Sequence, residues 1–333
     1  MSVERIIKRT LSFSPIIEII VRTIYYSNIK FLKRYAYFYR VNPYLKLPKR
    51  KTSEKKRDTT KQDLDNIFKM LSEKYISKGD LVLLHCSYRN IKNAGYSPNE
   101  FIDLLLNIIG KEGTLAMSAR PDFDINLDSF MRNEKDQNLY HYDPKKTKSN
   151  TGIVAEMLLK KDGSIRSDHP INSMVAYGPL ASHIMKNNLI DENSLAHGIN
   201  SSWYKCVLNK AKVLAIGVEL VQSSTVTHCH EDVLVDKWPV KNWYITKKYK
   251  IIKNDKSKIL DLKERAPKWL LNYAERTIYK DFINNKILHC YDFKGLSVEI
   301  AEAEKMYDFF SKRFNKAYPY FFTNLNLSKF IER

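Results

Sequence analysis

The chain has 333 residues, 44% hydrophobic and 28% charged, a globular balance that excludes a disordered chain and suits one large domain carrying an extension. Its four cysteines, Cys86, Cys206, Cys229 and Cys290, are widely spaced without a C-x-x-C, which excludes a disulfide framework or structural zinc signature and reads as reduced thiols in a cytoplasmic protein. The net charge of +19 is concentrated at one end: residues 1–61 hold sixteen Lys/Arg against four Asp/Glu.

That N-terminal stretch interleaves Ile, Phe and Tyr with basic residues. Arg9, Glu18, Arg22 and Lys30 interrupt it, so no uncharged run approaches the ~20 residues of a membrane span, and no small-residue cleavage site follows an apolar core. Two readings stay open. One is an interfacial amphipathic helix, peripheral at the inner face of the membrane; the other is a helical extension packed on its own domain or on a second subunit. The division expected is a basic, aromatic-rich extension over 1–61 and an enzymatic domain over 62–333, with composition turning ordinary after "LPKRKTSEKKRDTTKQ".

From there helix and strand patterns alternate. "DLDNIFKMLSEKY" has helical spacing; "GDLVLLHCS" is a short apolar run, as in a buried strand; "NEFIDLLLNIIG" is helical and stops at a glycine; "GTLAMSA" is again a strand. A helix is expected near 151–160, a second buried strand at "KVLAIGVEL" and a closing helix at "AEAEKMYDFFSKRF". The order β-α-β predicts an α/β fold, with helices flanking a central mixed sheet.

"KVLAIGVEL" runs directly into "VQSSTVTHCHED", and α/β folds collect catalytic groups where strands deliver the chain into loops. Within T-x-x-H-x-x-E (Thr225, His228, Glu231) the His and Glu share one face if the segment is helical, a general base beside an acid that fixes its tautomer. His228 and His230 are two apart and would diverge on a helix, so no metal site is expected. His197 and His230 read as incidental neighbours.

The segments "LLHCSYRNI", "GKEGTLAMS", "TKSNTGIVAEMLL", "IRSDHPINSMVAYGPLASHI", "HGINSSWYK", "KVLAIGVEL" and "TVTHCHED" resemble, in order and spacing, the aminoglycoside 3-N-acetyltransferase family over roughly residues 62–310. The resemblance implies transfer from acetyl-CoA, or a related acyl-CoA, to a primary amine on a sugar, without metal. It implies His228 as the catalytic histidine and Glu231 as the acid of the same motif. It further implies cofactor contacts from His85 and Ser87 at the H-x-S strand exit, from Arg166 and Ser173 of the R-S-x-H-P-x-x-S element, and from Ser201 and Thr225. The sequence departs from the family pattern at Ser202 and Ser118, where prolines are usual.

Each of these residues also has a structural reading. Ser87 and Ser173 would satisfy backbone groups, His169 would shape a turn before Pro170, and Arg166 would bind either a cofactor phosphate or a carboxylate of its own domain. Cys86 and Cys229 beside the motifs leave a covalent acyl-cysteine route as the competing mechanism. The basic charge of the matched region suits an anionic acceptor, so the expected role is N-acetylation of an amino sugar in surface polysaccharide biosynthesis. The alternatives are an aminoglycoside acceptor, as in antibiotic resistance, or a non-catalytic basic protein binding membrane or nucleic acid on a transferase scaffold. The transferase reading expects no nucleic acid partner and leaves the oligomeric state open.

Overall fold

The computed structural model describes residues 14–20, 59–123, 138–238, 242–266 and 274–313. Most of the predicted amphipathic extension therefore lies outside the described residues.

The elements expected in the first half form where local chemistry places them. Helix α1 (Lys61–Lys74) opens with a capping box between Thr60 and Asp63 and buries Leu64, Ile67, Phe68 and Leu71, one stripe at helical spacing. Strand β1 (Leu81–Cys86) comes next, then a short helix α2 (Tyr88–Lys92). Helix α3 (Pro98–Ile109) repeats the device with Ser97 and Glu100, takes Pro98 in its first turn, and ends at Gly110 with φ 70°. Strand β2 (Thr114–Ser118) completes the first β-α-β unit, parallel to β1.

After β3 (Leu139–Tyr142) come helix α4 (Ile153–Lys160), strands β4 (Ile165–Arg166) and β5 (Met174–Tyr177), and helices α5 (Ala181–Met185) and α6 (Ser202–Leu208). Strand β6 (Lys212–Ile216) leads into α7 (Leu220–Ser223), a 3-10 turn at Thr225–His228 and α8 (Cys229–Val233). The helix-strand alternation of the first half then gives way to two hairpins that it does not foretell. They are β7 (Tyr244–Lys253) with β8 (Lys256–Arg265), and β9 (Leu288–Phe293) with β10 (Leu296–Glu302), separated by helix α9 (Glu275–Asn284). Helix α10 (Ala303–Arg313) closes the described chain where a helix is expected.

Seven strands form one mixed sheet in the order β4-β5-β2-β1-β6-β10-β9, in which β1 is parallel to both β2 and β6 and the outer pairs are antiparallel. Both faces are covered, which is why β1 is apolar at consecutive positions. Leu81 and Leu83 enter the core under α6, α9 and α10, whereas Val82 and Leu84 enter the core under α1, α3 and α4. A second sheet, β3-β7-β8, has its own cluster around Tyr140, Tyr142, Tyr249, Leu260 and Leu262. Its β7–β8 turn is Asn254–Asp255, both with positive φ, the conformation a two-residue hairpin loop demands.

Of the N-terminal extension, residues 15–20 are helical. Glu18 and Ile19 are buried, so this piece packs on the domain, while Ile17 and Ile20 face outward. Among the described residues no helix is long and apolar enough to cross a membrane.

Candidate active site

The parallel strands β1, β2 and β6 end side by side, and a cavity of about 430 Å³ opens at their carboxyl ends. Leu84, His85 and Cys86 contribute from β1, Met117 and Ser118 from β2, and Val218 from the exit of β6. Gly217 makes that exit possible: its φ is +71°, and its carbonyl accepts from Asn90 Nδ2 at 2.8 Å. The chain then turns through α7 and brings Thr225, Thr227 and His228 into the cavity wall.

The 3-10 turn passes directly into α8, which carries the local spacing of His228 and Glu231 into a contact. His228 Nδ1 lies 3.0 Å from Glu231 Oε1, and the carboxylate is 1% exposed against 17% for the imidazole. A carboxylate only accepts, so this contact favours a hydrogen on Nδ1 with Nε2 as the basic nitrogen, while the Arg265 guanidinium, which only donates, competes for the same Nδ1. Arg265, the last residue of β8, closes the group. Its Nη1 contacts His228 Nδ1 and stands 3.4 Å from Glu231 Oε2. Burial first, and then the Arg265 cation, hold His228 well below the usual imidazole range. Burial raises the Glu231 carboxyl, against the opposing pull of Arg265.

The base of the β7–β8 hairpin therefore builds one side of the site. Trp243 and Arg265 line the cavity, and Tyr244, paired with Arg265 in register, donates its hydroxyl to Asp232 Oδ1 at 2.8 Å. Arg120, Asn172 and Glu275 are further polar residues of the lining. Arg120, Asn172, Arg265 and Glu275 stand far from T-x-x-H-x-x-E in the chain, and no local spacing marks them.

A family model described as aminoglycoside 3-N-acetyltransferase matches residues 83–315. The chain belongs to the aminoglycoside 3-N-acetyltransferase family. Aminoglycoside N(3)-acetyltransferase IX of Micromonospora chalcea is 29% identical over 177 residues, covering 50% of this chain and 60% of the relative. The chain thus spans about 60% of the length of the curated relatives it matches. Among solved structures, AAC-VIa bound to sisomicin is 18% identical with a TM-score of 0.62, covering 78% of this chain and 98% of that one. AAC-IIIb in binary complex with CoASH is 17% identical with a TM-score of 0.57, covering 77% and 97%. At these identities the structural likeness concerns the fold.

Within this family member, the residues expected at the site divide into two groups. His85, Thr225 and His228 line the cavity, with Glu231 directly behind His228. His85 is 7% exposed, and its Nε2 has no hydrogen-bond partner among the described residues; burial lowers its pKa to about 4. A buried polar atom left without a partner beside a cavity fits a site that takes a polar ligand.

The remaining expected residues, Ser87, Arg166, Ser173 and Ser201, lie away from the cavity lining, with contacts inside the domain. Arg166 is buried, and its guanidinium donates to Thr147 O, Ala119 O and Ser173 Oγ and lies over the Tyr142 ring. Its partners within the domain are carbonyls and a hydroxyl rather than a carboxylate. Ser173 in turn donates to Ala119 O. Ser201 caps α6 by accepting from Tyr204 N at 3.0 Å, whereas Ser87 stands before α2 without a side-chain capping bond, its backbone N–H bonded to Ile216 O. None of the four lines the cavity. His169 shapes its turn, with Nδ1 accepting from Ile171 N and Nε2 donating to Ser194 O.

His228 and His230 diverge as expected, the latter stacked on Phe310 with ring centroids 4.3 Å apart. His197 is more than a neighbour: its Nδ1 lies 3.0 Å from Asp232 Oδ2, and its ring centroid is 5.6 Å from that of His228.

Proposed function

We propose that the chain transfers an acetyl group from acetyl-CoA to a primary amine of an amino sugar, with an aminoglycoside-type sugar as acceptor and His228 as general base. The observation that carries this reading is the His228 Nδ1 to Glu231 Oε1 contact in the wall of the cavity at the strands' carboxyl ends. An amino sugar is mostly ammonium near neutrality and attacks only after losing its proton. His228, kept neutral by its surroundings, takes a proton from the attacking nitrogen as the N–C bond forms and the C–S bond breaks. Glu231 steadies the resulting imidazolium, and the proton passes on to the departing thiolate. His85, Ser118 and Thr225 are the polar residues placed to contact the acyl donor, and a hydroxyl or backbone N–H among them serves the developing oxyanion.

Direct transfer is favoured over an acyl-cysteine intermediate. Burial pushes the Cys86 thiol up to about 12 and raises that of Cys229, which keeps both protonated and poorly nucleophilic.

The comparisons favour an aminoglycoside acceptor over the surface-polysaccharide role suggested by net charge. The Micromonospora relative is named for aminoglycosides, and AAC-VIa holds sisomicin. Moreover, the cavity sets Glu275, with Glu231 and Asp232 behind it, against Arg120 and Arg265, so the charge of +19 is not a property of the site. A non-catalytic scaffold would have no use for a buried acid held against an imidazole. We keep residues 1–61 as an extension and 62–333 as the transferase domain; the family match falls wholly within the second.

The test is free-thiol release from acetyl-CoA with sisomicin, apramycin and a nucleotide-linked amino sugar, in wild type and His228→Ala. Sisomicin or apramycin should be turned over, with loss of about a thousandfold in the variant. Unchanged turnover in His228→Ala would remove the proposed base, and preference for the nucleotide-linked sugar would return the acceptor to the anionic class.

A further inference from the structure

We propose that Asn172 selects the acceptor by taking a hydrogen bond from its amine, and that a buried relay of Tyr244, Asp232 and His197 holds the Asn172 amide in the orientation required. This rests on amine transfer at the His228 cavity.

The relay is built from contacts whose polarity can be assigned link by link. Asp232 is 6% exposed, and its Oδ1 accepts from Tyr244 OH at 2.8 Å. Its Oδ2 faces both His197 N and His197 Nδ1 at 3.0 Å. Burial alone would raise this carboxyl, but the His197 and Tyr244 hydrogen bonds outweigh burial and hold it below the usual range, so it remains an acceptor. His197 Nδ1 therefore carries the hydrogen. Asn172 turns its Nδ2 to His197 Nε2 at 3.1 Å, and since an amide nitrogen only donates, Nε2 is the acceptor of that contact.

That last contact decides the Asn172 amide. Its NH₂ group is turned to His197, and Oδ1 is the group left, with no hydrogen bond among the described residues. The backbone is pinned as well, since Asn172 has φ 50° and its carbonyl accepts from the Trp203 indole at 2.7 Å. Asn172 lines the same cavity as His228, next to the ring that packs against the base.

A fixed oxygen acceptor has the right polarity for an N–H of the acceptor and the wrong one for a developing oxyanion, which needs donors. Asn172 thus belongs to the amine side of the site. His197, Asp232 and Tyr244 act through it as positioning residues. The pattern "HPINS" gives no hint of this, because the residue that orients Asn172 is 25 positions away.

The experiment measures sisomicin and acetyl-CoA kinetics for wild type, Asn172→Ala and His197→Ala in the full chain, with the thermal midpoint of each. Asn172→Ala should raise the KM for sisomicin about tenfold, the worth of one hydrogen bond to a charged group, with the KM for acetyl-CoA within twofold. His197→Ala should produce the same selective rise at about threefold. A rise in the acetyl-CoA KM with the sisomicin KM unchanged would overturn the assignment.

A second measurement is independent of turnover. Imidazole ¹⁵N NMR of the wild type should show His197 with its hydrogen on Nδ1 and Nε2 accepting a hydrogen bond that Asn172→Ala removes. An Nε2–H tautomer would reverse the amide and sink the proposal. Failure of wild type to acetylate sisomicin or apramycin would count against the proposed function, and the ¹⁵N result alone would then decide the relay.

Discussion

Glu18 accepts hydrogen bonds from the Thr277 backbone N–H at 2.9 Å and from its hydroxyl at 3.1 Å, across 259 positions of the chain. Its other oxygen accepts from Arg276 N at 2.7 Å. Helix α9 begins after Ala274, which has no side-chain cap to offer, and a carboxylate from the N-terminal extension supplies both the missing acceptors and the charge that suits a helix N-terminus. Glu275, the first residue of that helix, lines the cavity.

Glu18→Ala should therefore destabilise the protein by about 2 kcal/mol, within the range for a cap combined with a helix-dipole charge, as read by urea unfolding. Glu18→Gln should recover part of the loss, because the amide oxygen still accepts. Equal stability of Glu18→Ala and wild type would mean that the contact contributes nothing to folding.

Arg265 should control the acid limb of the pH–rate profile. Burial and the Arg265 cation both disfavour protonated His228, so the limb of kcat/KM should lie below pH 6.5, and activity should persist as pH falls through that value. Removing the cation in Arg265→Met takes away one of the lowering influences, so the limb should move to higher pH. A limb that moves to lower pH, or stays in place, would contradict the arrangement.

Acid should unfold the protein earlier than its carboxylates alone would predict. Burial pushes His85, His169 and His230 down to about 4. With the unfolded value near 6.5, the unfolded chain binds the additional protons between about 6.5 and 4. Stability is therefore full above 6.5 and declines as pH falls through that window, by up to about 3 kcal/mol for each histidine. Asp232, held low, adds its loss only below its ordinary value of 3.8. Thermal midpoints measured from pH 7 to 4.5 should fall steadily, and less so in His169→Gln; a flat series would refute the assignment.

Gly217→Ala should harm both stability and turnover. A Cβ there would lie 2.6 Å from Asn90 Nδ2, on a backbone with φ +71°, in the turn that links β6 to the helix ahead of His228. A loss of about 1–3 kcal/mol is expected in denaturant melts, with kcat falling more than the unfolded fraction explains.

By itself the sequence determines what depends on neighbours within a few positions. The capping boxes at Thr60/Asp63 and Ser97/Glu100 bound α1 and α3, apolar runs mark β1, β2 and β6, and the three-residue interval between His228 and Glu231 becomes a contact because one turn brings those positions together. The β7–β8 hairpin leaves a local trace too, in the Asn254–Asp255 pair between its strands, although the helix-strand alternation upstream points elsewhere. Residue type does not reveal that Arg166 bonds within the domain and that Arg265 lines the cavity. Both are arginines at the ends of strands, and only the folded chain shows which carbonyls surround one and which imidazole meets the other. Glu231 and Arg265 are 34 positions apart, as Asp232 and His197 are 35 apart. Such pairs meet through strand register and hairpin placement, set by the packing of two sheets, and a local pattern carries no record of that.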